Sequence, residues 1–236
     1  MTYQMAPGVF ACLTGRQCMF LDLRQDRYLS VQRAVMDSLA PHIFDWQLPL
    51  ASSGRGPVHD GEIIQLAEDL LAAGILQPYN ARTGMRTTRS CPADQDFTSL
   101  GSGGNESAAR AAKLRIVGAL MYADHLLRHV ALCRIVRRVS SMSSTVRNRH
   151  RCESLMIANA LTESFRQARP WYPRNYLCLF DSLALMLFLL RSGIHAQWVF
   201  GVREDPFGAH CWIQCGPVVL NEYLDRTRLY TPIMVV

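Results

Sequence analysis

Apolar residues fall into short runs along the first third of the chain and into long helical stripes after it. VFACL (9–13), QCMFLDL (17–23) and RYLSV (27–31) have strand length, and Met19, Leu21 and Leu23 alternate onto one face. TGR and RQD between the runs suit tight turns, so the three predict a strand meander. The period then changes. Val31, Ala34, Val35, Ser38 and Leu39 recur at i, i+3, i+4, and Ile63, Leu66, Ala67, Leu70 and Leu71 repeat the pattern. Asp60 stands where the second stripe needs an N-cap and Gly74 where it needs a C′ glycine, which predicts two helices.

NARTGMRTTRSCPADQDFTSLGSGGNE (80–106) carries Gly, Ser, Thr and Arg without apolar periodicity, and reads as a linker. The expected organisation is a domain over 1–80, a linker over 81–106 and a second domain over 107–236. Within the latter, 107–139 predicts one long helix, SSMSSTVRNRH a loop, and 153–168 a second helix. Cys178 to Arg191 is apolar on nearly every face, which predicts a buried helix stopped by Gly193. IHAQWVFGV (194–202), AHCWIQC (209–215) and PVVLNEY (217–223) predict three strands, with Pro206, Gly208, Gly216 and Pro217 at the turns. The expected fold class is α+β: a winged-helix-like module of a three-stranded meander plus helices, then a helical and stranded second domain.

Composition narrows the class. With 49% hydrophobic and 19% charged residues over 236, the chain is not a disordered tail or a small disulfide scaffold. No secretory signal is evident at the N-terminus, and the longest clean apolar run, Leu183 to Leu190, is far too short to span a bilayer. A cytoplasmic protein with reduced cysteines and no membrane insertion is expected. The net charge of +6 divides into −3 over 1–80, +10 over 81–176 and −1 over 177–236. The excess lies on a linker and a helical segment, which reads as a solvated face, so no nucleic-acid partner is expected.

Three residues of the last third suit acyl chemistry. Cys178 opens the buried helix, where unpaired backbone N–H groups and the positive dipole end favour a thiolate. His210 follows 32 residues on and opens the second strand; Glu222 lies 12 residues further, near the end of the third. Antiparallel pairing of those strands would set His210 beside Glu222, completing nucleophile, general base and orienting carboxylate. Spacing alone leaves the plainer alternative open, a small buried cysteine and a satisfied strand histidine. His125, His129 and Cys133 fall at i, i+4, i+8 and read as a helix face, with no metal expected. Cys211 shares a strand face with Cys215, opposite His210, and is expected to stand clear of the site. Cys12 and Cys18 flank a hairpin and are expected to be free thiols, while Asp181 and Ser182 are expected to cap the helix.

RPWYP (169–173), CLFDSLALMLFLLRSGI (178–194), VFGV (199–202), PFGAHCW (206–212) and VVLNE (218–222) together resemble the C-terminal region of lasso-peptide maturation B proteins. These include the microcin-processing enzymes, within the transglutaminase-like cysteine protease superfamily. More weakly, residues 1–80 resemble the precursor-recognition element fused to such proteases, akin to the pyrroloquinoline-quinone chaperone. The resemblance implies a papain-like or transglutaminase-like α+β protease domain with Cys178 as nucleophile, His210 as base and Glu222 as third member, a position often Asp in relatives. It further implies a leader peptidase for a ribosomally made precursor peptide. No cofactor is implied for the chain itself. The implied partner is an ATP-dependent, asparagine-synthetase-like lasso cyclase, through which any ATP dependence would enter. Amine acyl transfer and a non-catalytic precursor-binding scaffold are the competing functions.

Overall fold

The meander forms with short turns. In the computed structural model, which describes residues 2–44, 46–50, 59–80, 92–97, 106–147 and 154–236, strands β2 (Val9–Leu13), β3 (Gln17–Asp22) and β4 (Arg27–Gln32) pair antiparallel in that order. Two flanking strands, β1 (Tyr3–Met5) and β5 (Leu76–Pro78), pair antiparallel with one another; at three residues each they are too short to show alternation. Both parities of β3 are buried, and the core of this region gathers Cys18 and Phe20 rather than the Met19–Leu21 face. Against them pack Met36 and Leu39 of α1 (Arg33–Leu39), Ala67 and Leu70 of α2 (Asp60–Ala72), and Ile75. Asp60 is the first residue of α2 and His59 its cap, so the aspartate acts on the helix dipole from the first turn. At the other end Gly74 takes φ +70°, which lets Gly74 N–H reach Leu71 O (2.9 Å) and Ile75 N–H reach Leu70 O (2.9 Å), closing the helix as its sequence predicts.

The chain divides into two compact units, Met1–Thr88 with Val202–Gly208, and Arg89–Gly201 with Ala209–Val236. The second is built around α6 (Cys178–Arg191), in which Phe180 and Ser182 to Leu190 are all buried. Each such Leu, Phe or Met contributes about 1.5–3 kcal/mol by leaving water. Its neighbours are α3 (Glu106–His129), α4 (Leu132–Arg147) and α5 (Ser154–Ala168), and α3 makes the most extensive contact with it. A five-stranded sheet completes the unit in the order β10 (Thr231–Val235), β7 (Gln197–Arg203), β8 (Gly208–Cys215), β9 (Val218–Val219), β6 (Gln95–Asp96), with a short α7 (Leu224–Thr227) before β10. The whole is a mixed α+β protein.

Three sequence expectations change. The single helix over 107–139 is two, broken at Val130 and Ala131. Continued without a break, the stripe Ile116, Ala119, Leu120, Ala123 and Leu126 would run on into Arg134 and Arg137; the break restarts it on Ile135, Val136 and Val139 and leaves those arginines exposed. It also separates Cys133 from the helix of His125 and His129, and no group able to hold a metal ion forms among the described residues. The serine-rich stretch expected as a loop is helical through Arg147, because Val139 and buried Ser143 carry the stripe while Ser144 and Thr145 hydroxyls donate back to Ser141 O (2.8 and 3.0 Å). Residues 148–150 and 153 lie outside the described residues. So do 81–91 and 98–105 of the expected linker, but its residues Gln95 and Asp96 form β6, parallel to β9.

Candidate active site

Cys178 is the first residue of α6, and the preceding segment is held by a buried arginine. Arg169 is 3% exposed, and its guanidinium is ion-paired with Asp181 on α6. It donates to Tyr172 O (3.2 Å), Arg174 O (2.9 Å) and Asn175 O (3.1 Å), so three of the residues leading to Cys178 hang from one side chain. Asp181 reaches back to accept Leu177 N–H (2.8 Å), the capping expected of it. A planar, always-charged fork suits this role, because its several donors hold fixed directions while the ion pair offsets part of its desolvation. The residue Cys178 is exposed at the mouth of this segment. Its backbone N–H, in the first turn, has no acceptor within the helix and is a ready donor to an oxyanion.

His210 and Glu222 meet across the sheet. His210 is buried on β8, and its Nε2 lies 2.8 Å from Glu222 Oε2. Glu222 is not on a strand, as the 217–223 expectation had it: β9 is only two residues long, and Glu222 sits in the bend that follows. The bend is pinned by Asn221, whose Oδ1 accepts Ile213 N–H (2.7 Å), and by Leu220 N–H on Ile213 O (2.8 Å). Glu222 also accepts Tyr223 N–H (3.0 Å) on Oε1 and pairs with Arg226 Nη1 (3.2 Å) on Oε2. Those donors hold the carboxylate against the imidazole. With Nε2 engaged by Glu222, Nδ1 is the ring nitrogen left to face Cys178.

His210 is flanked by Tyr230 (ring centroids 5.2 Å) and Trp212 (6.2 Å). This cage requires the glycine of VFGV. A Cβ at Gly201 would come within 2.9 Å of both the Trp212 ring and the Tyr230 Cβ, closer than carbon atoms tolerate.

The thiol is strongly perturbed. Hydrogen bonds from the Cys211 thiol first and His210 second lower the Cys178 pKa from 9.0 to about 4, with the His210 charge and the Cys211 backbone N–H adding to them against the cost of desolvation. Cys211 therefore does not stand clear of the site, contrary to expectation. Strand alternation does send its side chain toward α6, where Ser182 Oγ is 3.3 Å away, but Cys178 lies at the place where that side and the His210 side meet. Trp198 on β7 anchors the same point, its indole N–H donating to Ser182 Oγ (2.8 Å).

Cys178, Cys211, His210 and Glu222 line one cavity of about 730 Å³. Its rim is aromatic and apolar: Tyr176, Leu177 and Tyr223 are 66%, 52% and 69% exposed, which is surface an extended peptide can cover. Phe97, from the segment expected to be a linker, closes another side beneath Arg166 (5.2 Å to the ring), and Asp96 beside it caps α7 by accepting Leu224 N–H (2.6 Å). Sequence reasoning missed Arg169, Asn221, Arg226, Asp96 and Phe97. Arg169 inside RPWYP and Asn221 inside VVLNE carried a signal; Arg226, Asp96 and Phe97 carried none.

A thiolate on a helix N-terminus, an imidazole and a carboxylate in line are the equipment of thiol hydrolases and acyltransferases. The chain belongs to the transglutaminase-like superfamily, whose sequence profile it matches over residues 106–235, more than half its length; members are often cysteine hydrolases or acyltransferases. No curated protein and no solved structure matches it.

Proposed function

We propose that this protein is a cysteine endopeptidase, the leader peptidase of lasso-peptide maturation, which binds a ribosomal precursor peptide and cleaves leader from core. The observation that carries the reading is the contact of Cys178 with His210 and of His210 with Glu222 in one aromatic-rimmed cavity. The motifs from RPWYP to VVLNE support the particular family. Cys178 attacks the carbonyl at the leader–core junction, and the first-turn N–H of α6 receives the oxyanion. Protonated His210 delivers its proton to the departing amine, then draws one from the water that hydrolyses the thioester. Glu222 keeps the ring oriented and stabilises its charged form.

Residues 1–80 serve as the winged-helix-like recognition domain. The meander ends on β4, whose outer edge has no strand partner among the described residues, and a leader segment adds there as a further strand. The expected 81–106 linker joins it to the protease domain, 107–236, and contributes β6 to the sheet of that domain. The freed core amine passes to an ATP-dependent, asparagine-synthetase-like cyclase. The six described cysteines are thiols rather than disulfides, which fits work in the reducing cytoplasm; no helix among the described residues is long and apolar enough to cross a membrane.

The test is incubation of the full chain with the precursor encoded beside it, followed by mass spectrometry. Leader and core fragments whose masses together exceed that of the precursor by one water support hydrolysis. A leader joined to an added amine shows acyl transfer instead, and binding without any new product shows a scaffold.

A further inference from the structure

The hydrolysis reading uses Cys178 and gives no work to the second thiol beside it. Cys211 is 3% exposed, sits in the same cavity lining as Cys178 and touches it through both its thiol and its backbone N–H. Ser182, one helical turn after Cys178, holds Cys211 from the other side at 3.3 Å, and Trp198 fixes Ser182 in turn. A solvent-reachable thiolate therefore stands in contact with a buried thiol that is locked in place. We infer that Cys178 and Cys211 form an oxidation site, in which Cys211 resolves a Cys178 sulfenic acid produced by a hydroperoxide and the two close into a disulfide.

The chemistry balances with one peroxide. The Cys178 thiolate attacks a peroxide oxygen, the O–O bond breaks, and sulfur loses two electrons while hydroxide or alkoxide departs. Cys211 then attacks that sulfur. The S–O bond breaks, an S–S bond forms, and the hydroxyl leaves with the Cys211 proton as water. A dithiol reductant reverses the sequence by exchange.

The surroundings favour this order of events. While Cys178 is a thiolate, its hydrogen bond to Cys211, burial and its negative charge, in that order, push the Cys211 pKa well above 9.0 and keep that thiol protonated. A sulfenic acid carries no charge, so the charge repulsion disappears and the hydrogen bond changes. The contacts from Ser182 and Trp198, which lower the Cys211 pKa, stay in place. Burial continues to hold the Cys211 pKa up, so the thiol becomes a better nucleophile, not a free thiolate, once its neighbour has been oxidised.

The inference needs a reactive Cys178 but no peptidase activity, so its readout is mass rather than cleavage. The full-length protein is treated with limiting hydrogen peroxide, its free thiols are alkylated, and unreduced peptides are mapped. The expected product is a Cys178 peptide linked to a Cys211 peptide, two hydrogens lighter than their sum and released by dithiothreitol. Cys211→Ala and Cys211→Ser should lose that product and carry Cys178 on to sulfinic acid, which dithiothreitol leaves in place. Sulfinic acid forming as readily in the wild-type protein, a disulfide from Cys178 to another cysteine, or an unoxidised Cys178 would each overturn the inference. The wild-type arm decides even where a variant fails to fold. A protein that cleaves but never links loses only the oxidation site; one that links but never cleaves loses the peptidase reading.

Discussion

Two pairs of neighbouring cysteines in this chain have opposite chemistry. Cys12 and Cys18 lie on adjacent strands, with Cys12 opposite Met19 and Cys18 opposite Leu13, inside a packed core. Burial pushes Cys12 up to about 12 and Cys18 further still, so both are inert thiols that pack as small hydrophobes. Cys178 and Cys211, by contrast, touch, and there one thiol is lowered to about 4. The residue type is the same. What differs is whether donors reach the sulfur: two from Cys211 and one from His210 at a helix N-terminus outweigh desolvation, whereas in the meander desolvation dominates.

The largest expected effect breaks the second pair. Cys178→Ala should reduce precursor cleavage by about 10³-fold or more, whereas Cys12→Ala should leave the rate within a few-fold; cleavage assays on both variants make the comparison. Next comes the carboxylate. Glu222→Gln keeps the shape but loses the charge that stabilises imidazolium, and a loss of about 10²–10⁴-fold in kcat is expected. Activity within a few-fold of wild type would remove Glu222 from the relay. A smaller effect is structural. Gly201→Ala forces a methyl group against Trp212 and Tyr230 and should cost about 1–3 kcal/mol by denaturant titration, with cleavage weakened because both rings flank His210.

The last effect is linkage. The Cys178 pKa is depressed by folding, so its stabilising contribution is complete above the unfolded value near 9 and fades as pH falls toward about 4. Cys178→Ser should flatten the pH dependence of unfolding across that window, while Cys12→Ser should not. Denaturant midpoints measured at several pH values within it read the difference.

Much of this architecture was legible because its signals are local. Periodicity and turn residues marked the meander, α2 with Gly74, and α6 with its all-round apolar pattern. The order Cys178, His210, Glu222 was readable from spacing and motif, and the structure brings the three together. Other features depended on contacts distant in sequence. Three-residue β1 and β5 are fixed by pairing with one another, by the bridge of Tyr3 to Ile43 and by a core shared with α1 and α2, and β6 arises in a stretch whose composition argued for a linker. Cys211 shows why parity alone misleads: alternation gives the face on which a side chain lies, but not the position of a helix N-terminus that meets both faces. Asn221 and Arg226 act through the bend after β9, a bend that strand patterning had absorbed into a longer strand.

The central claim is that Cys178 is a thiolate at neutral pH, and its alkylation rate against pH tests this most directly. Native protein is treated with iodoacetamide over a pH series, and each cysteine peptide is quantified by mass. With its pKa at about 4, Cys178 should react at a nearly constant rate from about pH 6 to 8 and slow only as pH falls toward about 4, while Cys12 and Cys18 stay unlabelled until the protein unfolds. A Cys178 rate that instead climbs about tenfold per pH unit through that range, as for an ordinary thiol, would contradict it.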